Sequence, residues 1–355
     1  MTERALARVD LGAITRNCRR LARELADGSR LGVVVKADGY GHGAREAAAA
    51  AVEGGAERLF VATAREAAAL GDQPVPVAVM GALMPGELEV ALAAGAEVTA
   101  WDRDFVAALP PGTRVHVKLD TGMGRLGTRD PAEATAVADA VVAGGGTVAG
   151  LMSHFATADE RGDAFFGEQL DRFRAWAEPL RERFPDALLH LANSAGTLRD
   201  PACHFDLVRC GVAIYGLDPF QRDAAAEELE PALALTSYVA AVKPLLVGES
   251  VGYGRRFVAE EPATIATIPI GYGDGVRRAL TNNAEVLIGG ERRPVVGTVS
   301  MDNITVLLGA AGAQVGDEVV LIGPGLPAEE MAERLGTINY EITCGLTARV
   351  PRVHG

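Results

Sequence analysis

The sequence lacks any long apolar run, although hydrophobic residues make up 48% of its 355 positions. A helix that spans a bilayer needs about 20 apolar residues. The apolar stretch at Ala47–Val52 is short and flanked by charge. The first residues, MTERALARVD, alternate charged and apolar side chains and show no apolar core of a signal peptide. We therefore expect a cytoplasmic protein without membrane contact.

Positive charge is also scarce, since 34 Lys and Arg residues face 47 Asp and Glu residues, a formal net charge of −13. Nucleic-acid surfaces need clustered positive charge, so this composition argues against nucleic-acid binding. The four cysteines show no C-x-x-C spacing and are expected to be free thiols in a reducing compartment. The six histidines form neither an H-E-x-x-H nor a zinc-ribbon pattern, so we expect no metal.

From residue 31 the chain repeats one rhythm of a short apolar run, a polar turn and an alanine-rich helical stretch. Continuous apolar strands that alternate with helices predict a parallel sheet covered on both faces. About eight such units fit an α/β fold of the (β/α)8 TIM-barrel type, with a doubly wound open sheet as the alternative. Asp130 followed by Pro131 predicts the start of one helix. The predicted strands are Leu31–Lys36, Leu59–Ala62, Val75–Met80, Glu97–Ala100, Val115–Leu119, Val148–Phe155, Leu188–Leu191 and Leu207–Cys210.

The pattern changes at residues 218–231, where proline, acidic residues and alanine form a predicted linker. Beyond it, glycine and proline interrupt short apolar runs, as in an antiparallel β domain. We therefore predict a barrel over residues 1–228 and a mainly antiparallel C-terminal β domain over residues 229–355. The predicted elements of the second domain are the strands Ala232–Leu246, Ala263–Pro269, Ala284–Ile288, Pro294–Val299, Ile304–Leu308 and Glu318–Ile322 and the helix Ala328–Leu335.

Polar side chains recur at the carboxyl ends of the predicted barrel strands, which is where (β/α)8 enzymes carry their active sites. These groups need each other or a ligand, because an apolar core cannot satisfy their hydrogen bonds. They are Lys36, Lys118, His154, Asn193, Ser194 and Arg209.

Taken singly, several of these residues have a structural explanation. A lysine at a strand end commonly extends its amine to solvent, a lone histidine is more often structural than catalytic, and Arg209 fits a simple ion pair. Two further motifs fail in context. Residues 122–127 read G-x-G-x-x-G, but no acidic residue ends the next strand, and residues 192–196 lack the first glycine of a nucleophile elbow.

The combination nevertheless suits one cofactor. The glycine-rich turn at residues 37–43 and the backbone N–H groups at 193–194 and 211–212 favour a phosphate. A nearby lysine at a strand end favours covalent attachment of an aldehyde. Phosphate and aldehyde together indicate pyridoxal 5′-phosphate, so these residues predict a candidate site for that cofactor.

The motif VVVKADGYGHG at residues 33–43 resembles the cofactor-lysine signature of alanine racemases. Further motifs resemble the same family in the same order, and together they extend over essentially the whole chain. They are Lys118–Gly127, Ser153–Phe155, Ala192–Ala195, Val208–Gly211, Val251–Gly254, Gly271–Gly275, Ser300–Asp302 and Thr337–Glu341.

The resemblance implies a role for each residue of the site. Lys36 would bind the cofactor and act as the base on one face of the substrate, and Tyr253 of a partner subunit would act on the other. The implied cofactor contacts are Arg209 at the ring nitrogen, and Tyr40, Asn193, Ser194, Gly211 and Val212 around the phosphate. The implied substrate contacts are Arg125, Met301, Tyr272 and Asp302, supported by His154 and by Lys118, which is often carbamylated in the family.

The implied activity is interconversion of L-alanine and D-alanine, which supplies D-alanine for peptidoglycan, in a homodimer with shared active sites. A broad-specificity or serine racemase stays open as an alternative. Tyr253 disfavours a non-catalytic cofactor-binding protein, and Arg209 disfavours a decarboxylase. The chain departs from the family at Ala348, where a tyrosine that reaches the phosphate is common, and at Ser300, where cysteine is common. The first departure predicts looser cofactor retention.

Overall fold

The computed structural model describes residues 3–310 and 312–355, which form two compact units. One unit comprises residues 13–220 and 224–230. The other comprises the described residues up to 12 together with 221–223 and 231–355. In these described ranges, no helix combines the length and the apolar character needed to cross a membrane.

Strand β1 (Ala5–Val9) and helix α1 (Leu11–Glu24) precede a sheet of eight parallel strands. The strands are β2 (Arg30–Val34), β3 (Arg58–Val61), β4 (Val77–Val79), β5 (Glu97–Ala100), β6 (Arg114–Lys118), β7 (Thr147–Met152), β8 (Leu188–His190) and β9 (Leu207–Cys210). The helical segments among them are α2 (Lys36–Tyr40), α3 (Ala44–Glu53), α4 (Ala64–Leu70), α5 (Pro85–Ala93), α6 (Arg103–Ala107), α7 (Pro131–Ala143), α8 (Phe165–Ala177) and α9 (Ser194–Arg199).

The parallel sheet curls into a near-closed barrel. Its strand order runs from β8 through β7, β6, β5, β4, β3 and β2 to β9, so the first barrel strand pairs with the last. Between β8 and β9, the Arg209 amide donates to the Ala192 carbonyl at 2.9 Å, and a parallel bridge joins Asn193 to Arg209. This confirms the (β/α)8 prediction over the open sheet, and it brings the carboxyl ends of all eight strands to one rim. The predicted helix start is also confirmed, since Asp130 caps α7.

The other unit consists mainly of antiparallel strands. A six-stranded sheet has the order β16-β15-β18-β10-β1-β19, and a three-stranded sheet has the order β11-β14-β17. Its elements are β10 (Leu233–Tyr238), β11 (Ala241–Leu245), β12 (Ser250–Val251), β13 (Phe257–Val258), β14 (Ala263–Ile268), β15 (Glu285–Ile288), β16 (Glu291–Pro294), β17 (Ile304–Leu308), β18 (Glu318–Ile322), α10 (Ala328–Leu335), α11 (Asn339–Cys344) and β19 (Arg352–His354).

The units differ from the predicted ranges at the N-terminus. Strand β1 lies in the second unit because it pairs antiparallel with β10 and parallel with β19, whereas the prediction assigned residues 1–228 to the barrel. The predicted strand Ala232–Leu246 is also wrong as a single element, since β10 and β11 belong to different sheets. The predicted strand Pro294–Val299 is wrong as well, because β16 ends at its first residue and only a bridge at Val295 follows.

Candidate active site

Lys36 lies two residues after the end of β2 and begins a turn of left-handed backbone. Residues 37–40 all have φ between 52° and 61°. Such backbone costs about 1–2 kcal/mol for each residue other than glycine, and three of these four are not glycine. Side-chain acceptors offset part of this cost, because Glu66 accepts from the first amide of the turn at 2.7 Å and Asp38 accepts from the Ala44 amide at 3.0 Å. The half-buried lysine is therefore held on a strained and specific turn.

The turn places Tyr40 against Gly211, which follows β9. A Cβ on residue 211 would lie 2.5 Å from the Tyr40 hydroxyl oxygen, so the close approach requires glycine. The Gly211 amide donates to the Ser194 Oγ at 2.9 Å. Asn193 caps α9 by accepting the amide hydrogen three residues on, at 2.9 Å, and Val212 opens a short 3-10 helix. Hydroxyls and backbone amides therefore meet at the rim, which is the donor set of a phosphate site.

Arg209, in β9, is 2% exposed and uses both terminal nitrogens on protein acceptors. Its Nη1 donates to Nδ1 and to the carbonyl of His190, at 2.8 and 2.9 Å. Its Nη2 contacts Ser153 O at 2.7 Å, Leu191 O at 3.2 Å and His154 Nδ1 at 3.3 Å. In the described part of the chain no hydrogen bond involves its Nε, so this N–H is the donor left for a ligand. Burial lowers the pKa of Arg209 to about 10, which keeps it charged at neutral pH.

Lys118 ends β6 and lies among other cations. Burial, followed by the charges of Arg209 and Arg125, lowers the pKa of Lys118 to about 8, and Lys36 acts in the same direction. Burial and these same cations also lower the pKa of His154 well below its usual range, so the imidazole is neutral at pH 7. A cluster of positively charged side chains favours anionic ligands.

The loop that carries Arg125 is organised by Asp120. The Asp120 carboxylate accepts hydrogen bonds from the amides of Gly122 and Gly124, both at 3.0 Å, and from Arg129 Nε at 3.2 Å. Burial raises the pKa of this carboxyl, but the hydrogen bonds from Gly124, Gly122 and Arg129 outweigh it and the net shift is downward. Asp120 is therefore an ionised support of the loop.

Four predicted site residues lie in the second unit. Tyr253 begins a short 3-10 helix between β12 and β13, and its side chain is 75% exposed within the chain. Tyr272 and Met301 lie in adjacent turns, because the amide after Tyr272 donates to the Met301 carbonyl at 2.9 Å, and both side chains are exposed. Asp302 pairs with Arg349 at 2.7 Å.

Three buried polar residues of the barrel were missed by the sequence analysis. Glu97, His116 and His190 form a hydrogen-bonded series that ends at Arg209. One signal for them was available, since His116 lies two residues before Lys118 and alternate residues of a strand share a face. Glu97 had no such signal, because an acidic residue that starts a strand is usually exposed.

These features define an enzyme of the α/β-barrel class with a second, mainly antiparallel unit and a cationic lysine site. The family model for the alanine racemase N-terminal domain matches residues 9–219, and the model for the alanine racemase C-terminal domain matches residues 232–354. The chain therefore belongs to the alanine racemase family, which is a family of isomerases.

Individual relatives match over nearly their full lengths. The alanine racemase of Symbiobacterium thermophilum is 42% identical over 370 residues, with 98% of this chain and 96% of the relative covered. The solved alanine racemase from D-cycloserine-producing Streptomyces lavendulae has a TM-score of 0.93 at 36% identity, covering 100% of this chain and 98% of that one. The Bartonella henselae structure, with covalently bound pyridoxal phosphate, has a TM-score of 0.88 at 29% identity and 99% coverage of both chains.

Proposed function

We propose that this protein interconverts L-alanine and D-alanine, with pyridoxal 5′-phosphate on Lys36 and with Lys36 and Tyr253 as the two proton-transfer groups. The observation that carries the proposal is the donor set at the barrel rim. Three groups lie at the ends of the neighbouring strands β2 and β9. They are Lys36, the close approach of Tyr40 to Gly211 that suits a phosphate, and the Nε–H of Arg209, which has no hydrogen-bond acceptor in the described part of the chain. The proposed role is to supply D-alanine for peptidoglycan.

The residues present fit pyridoxal phosphate. Lys36 Nζ would hold its aldehyde carbon. The hydroxyls of Tyr40 and Ser194 and the amide of Val212 would hold the phosphate, while Gly211, through its hydrogen bond to Ser194, and Asn193 would fix the loops around it. Arg209 Nε would donate to the ring nitrogen. When bound, the cofactor withdraws electrons from the substrate and makes its Cα proton removable. Arg209 stays charged and does not give up a proton to the ring at neutral pH, which favours return of the Cα proton over other outcomes.

Two proton-transfer groups are needed because inversion removes a proton from one face and returns one to the other. We assign Lys36 Nζ to one face and Tyr253 Oη of a partner subunit to the opposite face, so the functional unit is a homodimer. His154 accepts from Arg209 at Nδ1, and a guanidinium has no acceptor, so the His154 proton lies on Nε2. We propose that this Nε2–H donates a hydrogen bond to the Tyr253 oxygen of the partner subunit.

The substrate carboxylate is assigned to the cationic side of the site. Arg125 on its Asp120-supported loop would bind it, with Met301, Tyr272 and Asp302 of the partner completing the pocket. Ser300 and the exposed Ala348 lie where the family pattern differs, and we propose that alanine at position 348 loosens cofactor retention because a hydrogen bond to the phosphate is lost.

The proposal is tested on the purified protein loaded with pyridoxal phosphate. We expect a yellow protein whose visible band is abolished by borohydride. D-alanine should form from L-alanine, measured by chiral chromatography, at a higher kcat/KM than D-serine from L-serine. A colourless protein that takes up no cofactor would contradict the proposal, and faster turnover of serine would favour the alternative.

We further predict that Lys118 carries a carbamate. At pH 8 an amine with a pKa of about 8 is half neutral, roughly two orders of magnitude more than an ordinary lysine. Its neutral nitrogen attacks CO2, a proton leaves to water, and the resulting anion lies beside Arg125. Because the neutral fraction grows as pH rises through 8, modification should be greater at pH 8 than at pH 6.

The measurement is 13C NMR in 13C-bicarbonate, which should show a carbamate signal that the Lys118→Ala variant lacks. Lys243→Ala is the matched control, because Lys243 is exposed in β11 and should leave the signal unchanged. Absence of the signal at pH 8 with saturating bicarbonate would count against the modification.

A further inference from the structure

A buried acid lies at the end of the barrel opposite the active-site rim. Glu97 begins β5, is 3% exposed and accepts three hydrogen bonds. Its Oε1 accepts from Arg114 Nε at 2.6 Å, and its Oε2 accepts from His116 Nε2 at 2.8 Å and from Arg58. The two arginines balance its charge, and His116 connects it to the barrel interior.

The connection continues through two histidines to Arg209. His116 Nδ1 lies 2.9 Å from His190 Nε2, and His190 Nδ1 lies 2.8 Å from Arg209 Nη1. The fold makes room for this contact, because a Cβ on Gly150 would lie 2.6 Å from His190 Nε2. A register shift between β6 and β7, where Ala149 of β7 is left unpaired, sets Gly150 directly opposite His116. These four residues, Glu97, His116, His190 and Arg209, are termed the relay.

Both ends of the relay fix the direction of its hydrogen bonds. A guanidinium only donates, so His190 must accept at Nδ1 and carry its proton on Nε2. That proton is donated to His116 Nδ1, so His116 also carries its proton on Nε2 and donates it to the Glu97 carboxylate. Burial, with nearby arginines, lowers the pKa of both histidines well below the usual range, in agreement with neutral rings. Reversal of any one bond would set two N–H groups against each other.

We infer that Glu97 is a positioning residue for the reaction: through His116 and His190 it fixes the orientation of Arg209. Together with the guanidinium, the carboxylate holds the protons of both histidines on Nε2. The His190 tautomer decides whether Nη1 of Arg209 faces an acceptor or a competing N–H. With Nη1 and Nη2 held, Nε is the nitrogen that faces the ligand. This inference rests on the proposed function, because it gives Arg209 the ring nitrogen of pyridoxal phosphate as its acceptor.

The test compares Glu97→Gln with Arg114→Gln. A glutamine amide can present N–H to His116 and reverse the relay, whereas Arg114→Gln removes a donor from the other carboxylate oxygen and leaves the relay intact. We expect Glu97→Gln to lower kcat for alanine about tenfold or more with little change in KM, and to alter the visible absorption spectrum of the cofactor-loaded protein. Arg114→Gln should keep the wild-type spectrum and kcat. A wild-type spectrum and kcat in Glu97→Gln, or equal changes in both variants, would overturn the inference.

A second measurement needs no variant. Neutron diffraction of the wild-type protein without substrate should place the protons of His116 and His190 on Nε2. A proton on Nδ1 of either ring would overturn the relay, even if Glu97→Gln fails to fold. The wild-type racemisation assay separates the two proposals: an inactive wild-type protein with Nε2 protons refutes the proposed function, whereas an active one with Nδ1 protons refutes the relay.

Discussion

Replacing Lys36 with alanine is expected to lower the rate of alanine racemisation by at least about 10^4-fold. The substitution removes both the covalent anchor that we propose for pyridoxal phosphate and one of the two proton-transfer groups. Lys36 begins the turn whose residues 37–40 are left-handed, whereas Lys118 and Lys243 lie in strands β6 and β11, so neither can take its place. The rate is measured from D-alanine formation, and cofactor attachment from the visible band of the protein.

The small number of lysines makes the site of cofactor attachment easy to identify. It contains only three lysines, Lys36, Lys118 and Lys243, so a borohydride-fixed cofactor can be located among few peptides by mass spectrometry. We expect the label on Lys36 alone, and we expect Lys243→Ala to retain the label and wild-type activity. A label on either of the other lysines, or a Lys36→Ala protein within tenfold of the wild-type rate, would show that the anchor is misassigned.

The barrel was predictable because each of its strands is a short apolar run of local sequence. Predicted and observed strands overlap in all eight cases, and Leu207–Cys210 agrees at both ends. Parallel strands are buried on both faces, so they read as continuous apolar segments between helices. That signal is local and does not depend on knowing which strand pairs with which.

Elements defined by distant pairing were not predictable in the same way. Strand β1 acquires its place from β10 and β19, which lie more than 200 residues away in sequence. The break between β10 and β11 at Val239 and Ala240 carries no glycine or proline, so the sequence shows one apolar segment where the fold has two sheets. In both cases the sheet partner, and not the local pattern, decides the structure.

The residues of the candidate site also fall into those that local sequence predicts and those that depend on distant contacts. Lys36, Lys118, His154 and Arg209 were predicted from their positions at strand ends. In the structure these four lie close enough for their charges to influence one another. Their roles came from resemblance and stay proposals. Glu97 was missed because its burial depends on Arg58 of β3 and Arg114 of β6, and a single segment of sequence does not reveal such compensation.

Replacing Tyr253 with phenylalanine is expected to lower racemisation by about 10^2–10^4-fold, because the ring is retained while the proton-transfer oxygen is lost. The side chain is 75% exposed within its own chain, so the substitution should leave the free energy of unfolding nearly unchanged. Our proposal assigns this tyrosine to the site of a partner subunit. It therefore predicts that mixing two inactive variants, Lys36→Ala and Tyr253→Phe, restores racemase activity.

Hybrid dimers of Lys36→Ala and Tyr253→Phe subunits provide the decisive test. If the sites are shared, each hybrid has one site with both substitutions and one with Lys36 and Tyr253 intact. Random pairing makes half of the dimers hybrid, so the mixture should recover about a quarter of the wild-type activity. Mixing Lys36→Ala with the Lys36→Ala/Tyr253→Phe double variant is the matched control, because no pairing completes a site. If hybrids isolated by two affinity tags stay inactive, Tyr253 does not act across the dimer, and the second proton-transfer group must be sought within the same chain.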